Sequence, residues 1–456
     1  MRKLIKLSII SALLTCSVVQ ASKVMVDNQK VGDLTLKFKA MSVIDDKENS
    51  FAPSNGSGYL VKLKYETTDI LVDNLSVGVG MYANGDAGLT TWDEKADGNK
   101  GAYGMVVDVD GSTKALMGEL YINYKSKYIN AKLGRQKINS PLSVIKTSLM
   151  PNFHEAYMFD TNVVEGLKIT VGHIDKISFG SRAMADWGVI GEKTGTAGVG
   201  LGSSGVLFEQ AGGNLEQAKF YNIGVAAGFS KTDGRSIFGL TYNGIKNLQA
   251  DLWVYHSYDI ATDYYGELKY KLQVSQSTKL KLNAQYLAQK DTGDSLAGDK
   301  DFSLIGAKVA IGSKKFGAYA AVNQSSDKDN DVTNKSGQYF NAWGADPAYT
   351  SSIFSRNAYR EDVSAYKIGA HYKIIKGLKL MMSYASYTQS KTSAANSSRP
   401  TYVSQNDAYE IDTVLVYKPI KKLMLKLFNA RRLSEYDGVV YERRQNQYRI
   451  IASYTF

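Results

Sequence analysis

Cysteine and proline are scarce in this chain, and a long apolar run is missing. The single cysteine is Cys16, and it falls inside an N-terminal segment built like a secretory leader. Met1-Arg2-Lys3-Leu4-Ile5-Lys6 is a basic start, residues 7–14 are a short apolar core, and Val19-Gln20-Ala21 offers a small-residue cleavage site. Cleavage after Ala21 leaves residues 22–456 without a thiol, which excludes disulfides and cysteine–metal sites from the mature fold. Lipidation at Leu13-Leu14-Thr15-Cys16 is the rival reading; Thr15 fits such a box poorly, and Val-Gln-Ala stands just downstream. Pro53, Pro141, Pro151, Pro347 and Pro400 sit in loop-like stretches and Pro419 opens a tight turn, so proline interrupts no strand. After Ala21 no apolar run is long enough to cross a bilayer as a helix.

Tyrosine and glycine are abundant instead, at 31 and 41, and the formal charge is +11. At the C-terminus, Tyr448, Ile450, Ala452, Tyr454 and Phe456 share one strand face, and Arg449, Ile451, Ser453 and Thr455 share the other. Such an apolar face ringed by aromatics suits the outer wall of a membrane barrel; in water it would be an edge strand of a soluble sheet. The same alternation recurs in Tyr59-Val61-Leu63-Tyr65, Leu280-Leu282-Ala284-Tyr286, Tyr366-Ile368-Ala370-Tyr372 and Tyr409-Ile411-Thr413-Leu415. A membrane chain without an apolar helix satisfies its backbone in lipid only as a closed barrel. The predicted fold is therefore all-β: a transmembrane antiparallel up-and-down barrel over residues 22–456, preceded by a cleaved leader at 1–21.

Short basic connections near 125–127, 244–247, 312–314, 375–377 and 419–421 alternate with long polar ones near 84–113, 136–165, 185–234, 326–360 and 389–406. That asymmetry places the short turns at the periplasmic rim and the long loops outside. About nineteen stretches qualify as strands, but two periplasmic termini require an even number. Placing residues 218–230 inside one large extracellular loop gives a prediction of about eighteen.

Leu133-Gly134-Arg135-Gln136-Lys137-Ile138-Asn139-Ser140-Pro141-Leu142, followed by Met150-Pro151-Asn152-Phe153-His154-Glu155-Ala156-Tyr157, resembles the strand-to-constriction segment of OprD-type porins, in the form carried by epsilonproteobacteria. Ile245-Lys246-Asn247-Leu248 through Trp253-Val254-Tyr255-His256-Ser257-Tyr258-Asp259 is similar to that family's mid-barrel hairpin. The resemblance implies an eighteen-stranded outer-membrane barrel, a third loop folded inward to narrow the pore, and a basic row guiding carboxylate-bearing solutes.

With the apolar stripes facing outward, Lys62, Lys64, Lys269, Lys281, Lys367, Lys426 and Arg449 turn inward. Arg135, Arg431 and Arg443 lie near strand ends. The resemblance places the basic ladder in the later strands, which selects Lys367, Lys426, Arg431, Arg443 and Arg449. Glu410 and Asp412 are the acidic lumen candidates, beside Glu66 and Glu267. Residues 137–165 are the constriction candidate: Pro141 and Pro151 shape it, Leu142, Val144, Ile145, Leu149 and Met150 give it apolar surface to bury, and His154, Glu155 and Asp160 give it polar groups.

Signals for chemistry are weak. Gly200-Leu201-Gly202-Ser203-Ser204-Gly205 fits a dinucleotide fingerprint but lacks a βαβ context. His154, His173, His256 and His371 stand apart, without ligand spacing. The basic residues are spread along strands and turns, not clustered with stacking aromatics, which argues against nucleic acid. The sequence thus predicts a non-enzymatic outer-membrane porin without a cofactor or metal, passing small hydrophilic solutes with a preference for anions. Its partners are lipopolysaccharide and outer-membrane lipid and, during assembly, the barrel-insertion machinery; monomer and homotrimer both stay open. The alternatives are a plugged adhesive barrel and a barrel enzyme with Ser, His and a polar partner on its outer wall.

Overall fold

The computed structural model describes residues 22–26, 29–48, 54–88, 106, 112–143, 149–181, 218–326, 337, 339–340, 343, 346–353, 355, 357–389, 405–436 and 442–456. The expected leader at 1–21 lies outside the described residues. Eighteen antiparallel strands form the wall. In chain order they are β1 (Gln29–Glu48), β2 (Ser54–Thr67), β3 (Leu75–Asp86), β4 (Lys114–Lys125), β5 (Ile129–Gln136), β6 (Phe153–Val164), β7 (Leu167–Ser178), β8 (Arg235–Tyr242) and β9 (Leu248–Ser257). The circuit continues through β10 (Ala261–Gln273), β11 (Lys279–Asp291), β12 (Asp301–Gly312), β13 (Phe316–Ser325), β14 (Val363–Ile375), β15 (Leu378–Gln389), β16 (Gln405–Ile420), β17 (Leu423–Tyr436) and β18 (Glu442–Thr455).

Each strand pairs with its neighbours in the chain, and β18 pairs with β1 from Lys37↔Thr455 to Glu48↔Arg444, which closes the barrel. A short piece, Ser22–Val26, pairs with the lower end of β1, below the point where β18 stops. A two-residue bridge, Tyr221–Asn222, extends the edge of β7 above β8. Residues 218–230 otherwise form a loop with one helical turn, Ile223–Ala226, capped by the Asn222 side chain, so the even count predicted from topology is the observed one.

Period-two alternation explains the wall. Leu133, Tyr157, Phe159, Val171, Leu252, Ile305, Ile368 and Ile450 are exposed large apolar residues on the outer face. Outward tyrosines gather near both rims, with Tyr157, Tyr264 and Tyr366 above and Tyr124, Tyr270, Tyr372 and Tyr417 below, the two girdles expected at the headgroup levels. Gly166 turns β6 into β7 at φ +74; a Cβ there would come within 2.6 Å of Gly244 in the adjacent turn, so glycine is the residue that lets these two turns pack. Leu252, mid-strand and 60 % exposed, tests the lipid assignment: Leu252→Arg is expected to cost about 2–4 kcal/mol in a bilayer, read by urea unfolding in vesicles, whereas a water-facing wall would tolerate it.

Candidate functional site

The apolar core of the molecule lies inside the barrel and is made by loops. Ile138 and Leu142, from the loop after β5, cluster with inward residues Tyr255, Tyr265, Leu287 and Phe302. The Leu142 amide donates to the Tyr255 hydroxyl at 3.2 Å, four strands away from the loop's origin. Residues 149–150 of the same loop turn the other way, against Met41, Leu60 and Tyr82, and Ser181 Oγ accepts from both of their amides, at 2.8 and 2.9 Å. The loop therefore folds into the barrel, as the sequence predicts for a constriction.

A second loop, after β13, folds in beside it. Gln289 on β11 holds the Phe340 backbone from both sides, accepting its N–H at 2.7 Å and donating to its carbonyl at 2.8 Å. The same amide donates to Asp263 at 2.7 Å, and Asp263 pairs with Arg235 at 2.8 Å with both side chains buried. The Arg235 guanidinium lies 4.4 Å from the Trp343 ring and 4.8 Å from Tyr255. Further along, Tyr349 donates to Glu267 at 2.8 Å and the Tyr387 hydroxyl donates to the Thr350 carbonyl at 2.6 Å. Burial pushes the Tyr359 phenol well above its usual value, so it stays neutral while it donates to Asp346 and accepts from the Ala348 amide.

Below the contact at Met41 and Leu60, the wall is basic. Lys37 and Lys39 on β1, Lys62 and Lys64 on β2, Lys132 on β5 and Lys426 on β17 share the inward face. Within the arc Glu119 on β4 is buried: it accepts from Tyr82 and lies 3.5, 3.1 and 3.6 Å from the amines of Lys62, Lys64 and Lys137. Lys137, the first residue of the constriction loop, is thereby tied to the wall. Lys132 stands 3.7 Å over the Tyr121 ring, and Lys62 is 5.4 Å from the Tyr82 ring. Lys37 faces Lys62 directly across the ladder, an arrangement that costs stability and is tolerable in a hydrated lumen. Pores with low-dielectric walls concentrate the field of such a row.

The residues predicted from sequence divide into several fates. Lys426 points inward and is partly exposed, 5.1 Å from the Phe428 ring. Arg449 also points inward but is buried, 4.8 Å from the same ring and bonded to Gln447. Lys367, Glu410 and Asp412 also point inward but are buried beneath the second loop. Lys367 donates to the Ser351 carbonyl at 2.7 Å and to Ser352 at 3.1 Å and sits 3.7 Å from Asp412, while Glu410 accepts from the Ser355 amide at 2.6 Å. They hold a loop down and are not open lumen groups. Arg431 is corrected outright: it lies on the face of Leu425 and Leu427, opposite Ile411, and points to lipid, while Arg432 is the buried neighbour. Arg135 is likewise outward, on the face of Leu133, 2.9 Å from Glu155. The Arg443 side chain lies outside the described residues.

Pro141 and Pro151 lie in the loop, half-buried. His154, Glu155 and Asp160 do not: they are on β6, because the strand begins two residues after Pro151. His154 is buried and inward, Glu155 is outward beside Arg135 and Lys176, and Asp160 faces inward low in the barrel, 3.0 Å from Lys168. Val144, Ile145 and the Gly200–Gly205 stretch lie outside the described residues. Missed from the sequence were Lys37, Lys39, Lys132, Lys137, Glu119 and the inward fold of the second loop, which the sequence presents only as a long polar connection near 326–360. The alternation Leu36-Lys37-Phe38-Lys39 and Ala131-Lys132-Leu133 carries the signal for three of these lysines. Lys367→Met tests its role as an anchor: losing its hydrogen bonds should cost about 1–3 kcal/mol and raise single-channel conductance and noise, leaving ion preference nearly unchanged.

A family model described as outer membrane porin, OprD family, matches residues 74–456. Among solved structures, the outer membrane protein OpdK from Pseudomonas aeruginosa superposes with a TM-score of 0.69 at 14 % identity, covering 93 % of this chain and 98 % of that one. The same protein solved with vanillate gives 0.66 at 14 % identity, with 93 % and 98 % covered. Pseudomonas aeruginosa OccD3 (OpdP) gives 0.65 at 14 % identity, with 93 % and 91 % covered. At such identities these structures show a common fold. No curated protein sequence matches the chain.

Proposed function

Because the chain belongs to the OprD family of outer-membrane porins, we propose that it is a passive, water-filled channel for small hydrophilic solutes, with a preference for anionic, carboxylate-bearing ones. The observation that carries this preference is the basic arc from Lys426 round to Lys132, in which Glu119 is the buried counter-charge. Solute enters between the extracellular loops, is narrowed by the two inward loops, and then meets lysines that can each bind it weakly. Strong binding would stop flux. Lysines standing over tyrosine rings also suit a solute that carries both a ring and a carboxylate, and one similar barrel, OpdK, was solved with vanillate. On this reading the remaining partners are lipopolysaccharide and the surrounding lipid, with the barrel-insertion machinery during assembly.

Single-channel current of the refolded protein in a planar bilayer under a salt gradient tests the proposal. Discrete steps with a reversal potential on the anion side support it. Steps on the cation side would keep the channel and remove the role given to the arc. Correctly folded protein that gives no steps would favour the plugged, adhesive barrel, in which the two inward loops seal the lumen.

A further inference from the structure

The outer wall carries a second feature, which depends on the membrane placement of the barrel and not on what the pore selects. Two of the four histidines face outward on the strands that flank β8. His173 on β7 and His256 on β9 lie directly opposite Ser236 on β8, from either side, and Tyr157 and Thr262 extend the same row. On the same face, one pleat lower, the row reads Phe159, Val171, Phe238, Val254 and Tyr264. The boundary between apolar band and polar rim therefore runs between these two rows, at the level where acyl chains give way to headgroups. At that boundary the wall is not flush. A depression of about 390 Å³ opens among Phe159, Val171, Phe238 and Val254, and His173, Ser236 and His256 form its upper edge. The valines are too short to fill the space between the two phenylalanines.

The polar edge is organised. Ser236 Oγ is 3.2 Å from His173 Nδ1 and 3.3 Å from the Tyr258 hydroxyl, and Thr262 Oγ1 is 2.9 Å from His256 Nδ1. The Ser236 and Thr262 hydroxyls can both donate to Nδ1, an arrangement that leaves Nε2 of each ring to serve as donor to a ligand. Above this edge stand Lys176 and Arg135, each bound to Glu155 at 2.7 and 2.9 Å. An apolar slot below two imidazole edges, facing the bilayer near the extracellular rim, matches a lipid of the outer leaflet whose headgroup bears phosphate.

We propose that this depression is a lipid site: one acyl chain lies in the slot, and a headgroup phosphate of a lipid A-type glycolipid accepts hydrogen bonds from His173 and His256 Nε2. Ser236 acts as a positioning residue that fixes the His173 tautomer. Although Ser236, His173 and Tyr258 meet on the outer wall, no carboxylate hydrogen-bonds the His173 ring among the described residues, so the group is read as a binding edge and not as a hydrolase.

The test is native mass spectrometry of the full barrel released from micelles containing lipid A bisphosphate or its dephosphorylated form. The wild type should retain one bisphosphate per barrel at least about tenfold more than the dephosphorylated lipid, a ratio that corresponds to about 1.4 kcal/mol. His173→Phe/His256→Phe should erase that preference while keeping an apolar wall. Val171→Phe/Val254→Phe, which fills the slot and leaves the donors, should lower retention of both lipids. Conductance recorded on the same variants should match wild type, which separates loss of lipid from loss of fold and from failure of the channel assignment. Equal retention by all proteins, or retention without regard to phosphate, would overturn the proposal and leave an ordinary interfacial belt. Release of fatty acid that stops in Ser236→Ala would overturn it in favour of hydrolysis.

Discussion

Reversing two charges of the arc, Lys62→Glu with Lys132→Glu, is expected to move the reversal potential from the anion side to the cation side and to cut flux of carboxylate solutes by tenfold or more, on the order of the field such a constriction exerts. At an effective dielectric near that of a protein surface, one charge at 4 Å is worth up to about 4 kcal/mol. Screening by lumen electrolyte reduces this, yet two reversals in one narrow arc leave a margin over the factor named. Some stability should be lost as well, because Lys62→Glu sets a second carboxylate beside the buried Glu119, although Lys64 and Lys137 stay within 3.1 and 3.6 Å of it. Lys62→Gln with Lys132→Gln should shift the potential in the same direction by a smaller amount. The measurement is reversal potential in a salt gradient together with carboxylate uptake into liposomes. An unchanged potential would mean that the narrowing is set elsewhere, among the groups under the second loop.

Arg235→Met is expected to have the largest effect on stability, about 3–5 kcal/mol. The substitution removes the partner of a fully buried Asp263 and leaves Gln289 as a neutral donor to an unpaired carboxylate. It also removes the cation between Tyr255 and Trp343. Gln289 clamps Phe340, so the second loop should loosen around Phe340 and Trp343 while Lys367, Tyr387 and Glu410 still hold residues 350–355, and conductance should rise. The double variant Arg235→Met/Asp263→Leu should regain most of the stability, because apolar pairs of similar volume replace buried ion pairs at little cost. Urea-driven unfolding in vesicles reads the first effect, and planar-bilayer current the second. A single variant as stable as wild type would show that water reaches this pair.

These two experiments address different parts of the molecule, and the parts differ in how visible they are in the sequence. The wall is legible. Strand faces follow from alternation, so period two by itself turns Lys62, Lys64, Lys426 and Arg449 inward, and parity of the termini disposes of the spare strand at 218–230. Errors arise where alternation is short or ambiguous. Arg135 lies near the end of β5, where a slip of one residue exchanges lumen for lipid. Arg431, by contrast, is mid-strand on the face of Leu425 and Leu427, so alternation turns it outward and the ladder implied by the resemblance put it inside. His154, Glu155 and Asp160 look like loop residues because they are polar, although Pro151 ends the loop just before them and β6 begins at Phe153.

Composition and period thus determined a closed, all-β membrane barrel, its strand number and most of its inward and outward faces. They could do so because lipid leaves a backbone no other solution, and because side-chain direction along a strand has a fixed period of two. What only the tertiary structure decided was which inward charges remain open to solute. Lys367 and Glu410 belong to the inward set by period, yet a loop from another part of the chain covers both of them. Lys426 on β17 and Lys37 on β1 lie near opposite ends of the chain, and only the pairing of β18 with β1 that closes the barrel brings them into one arc. Loop packing and barrel closure are contacts between residues far apart in sequence, and no local pattern records them.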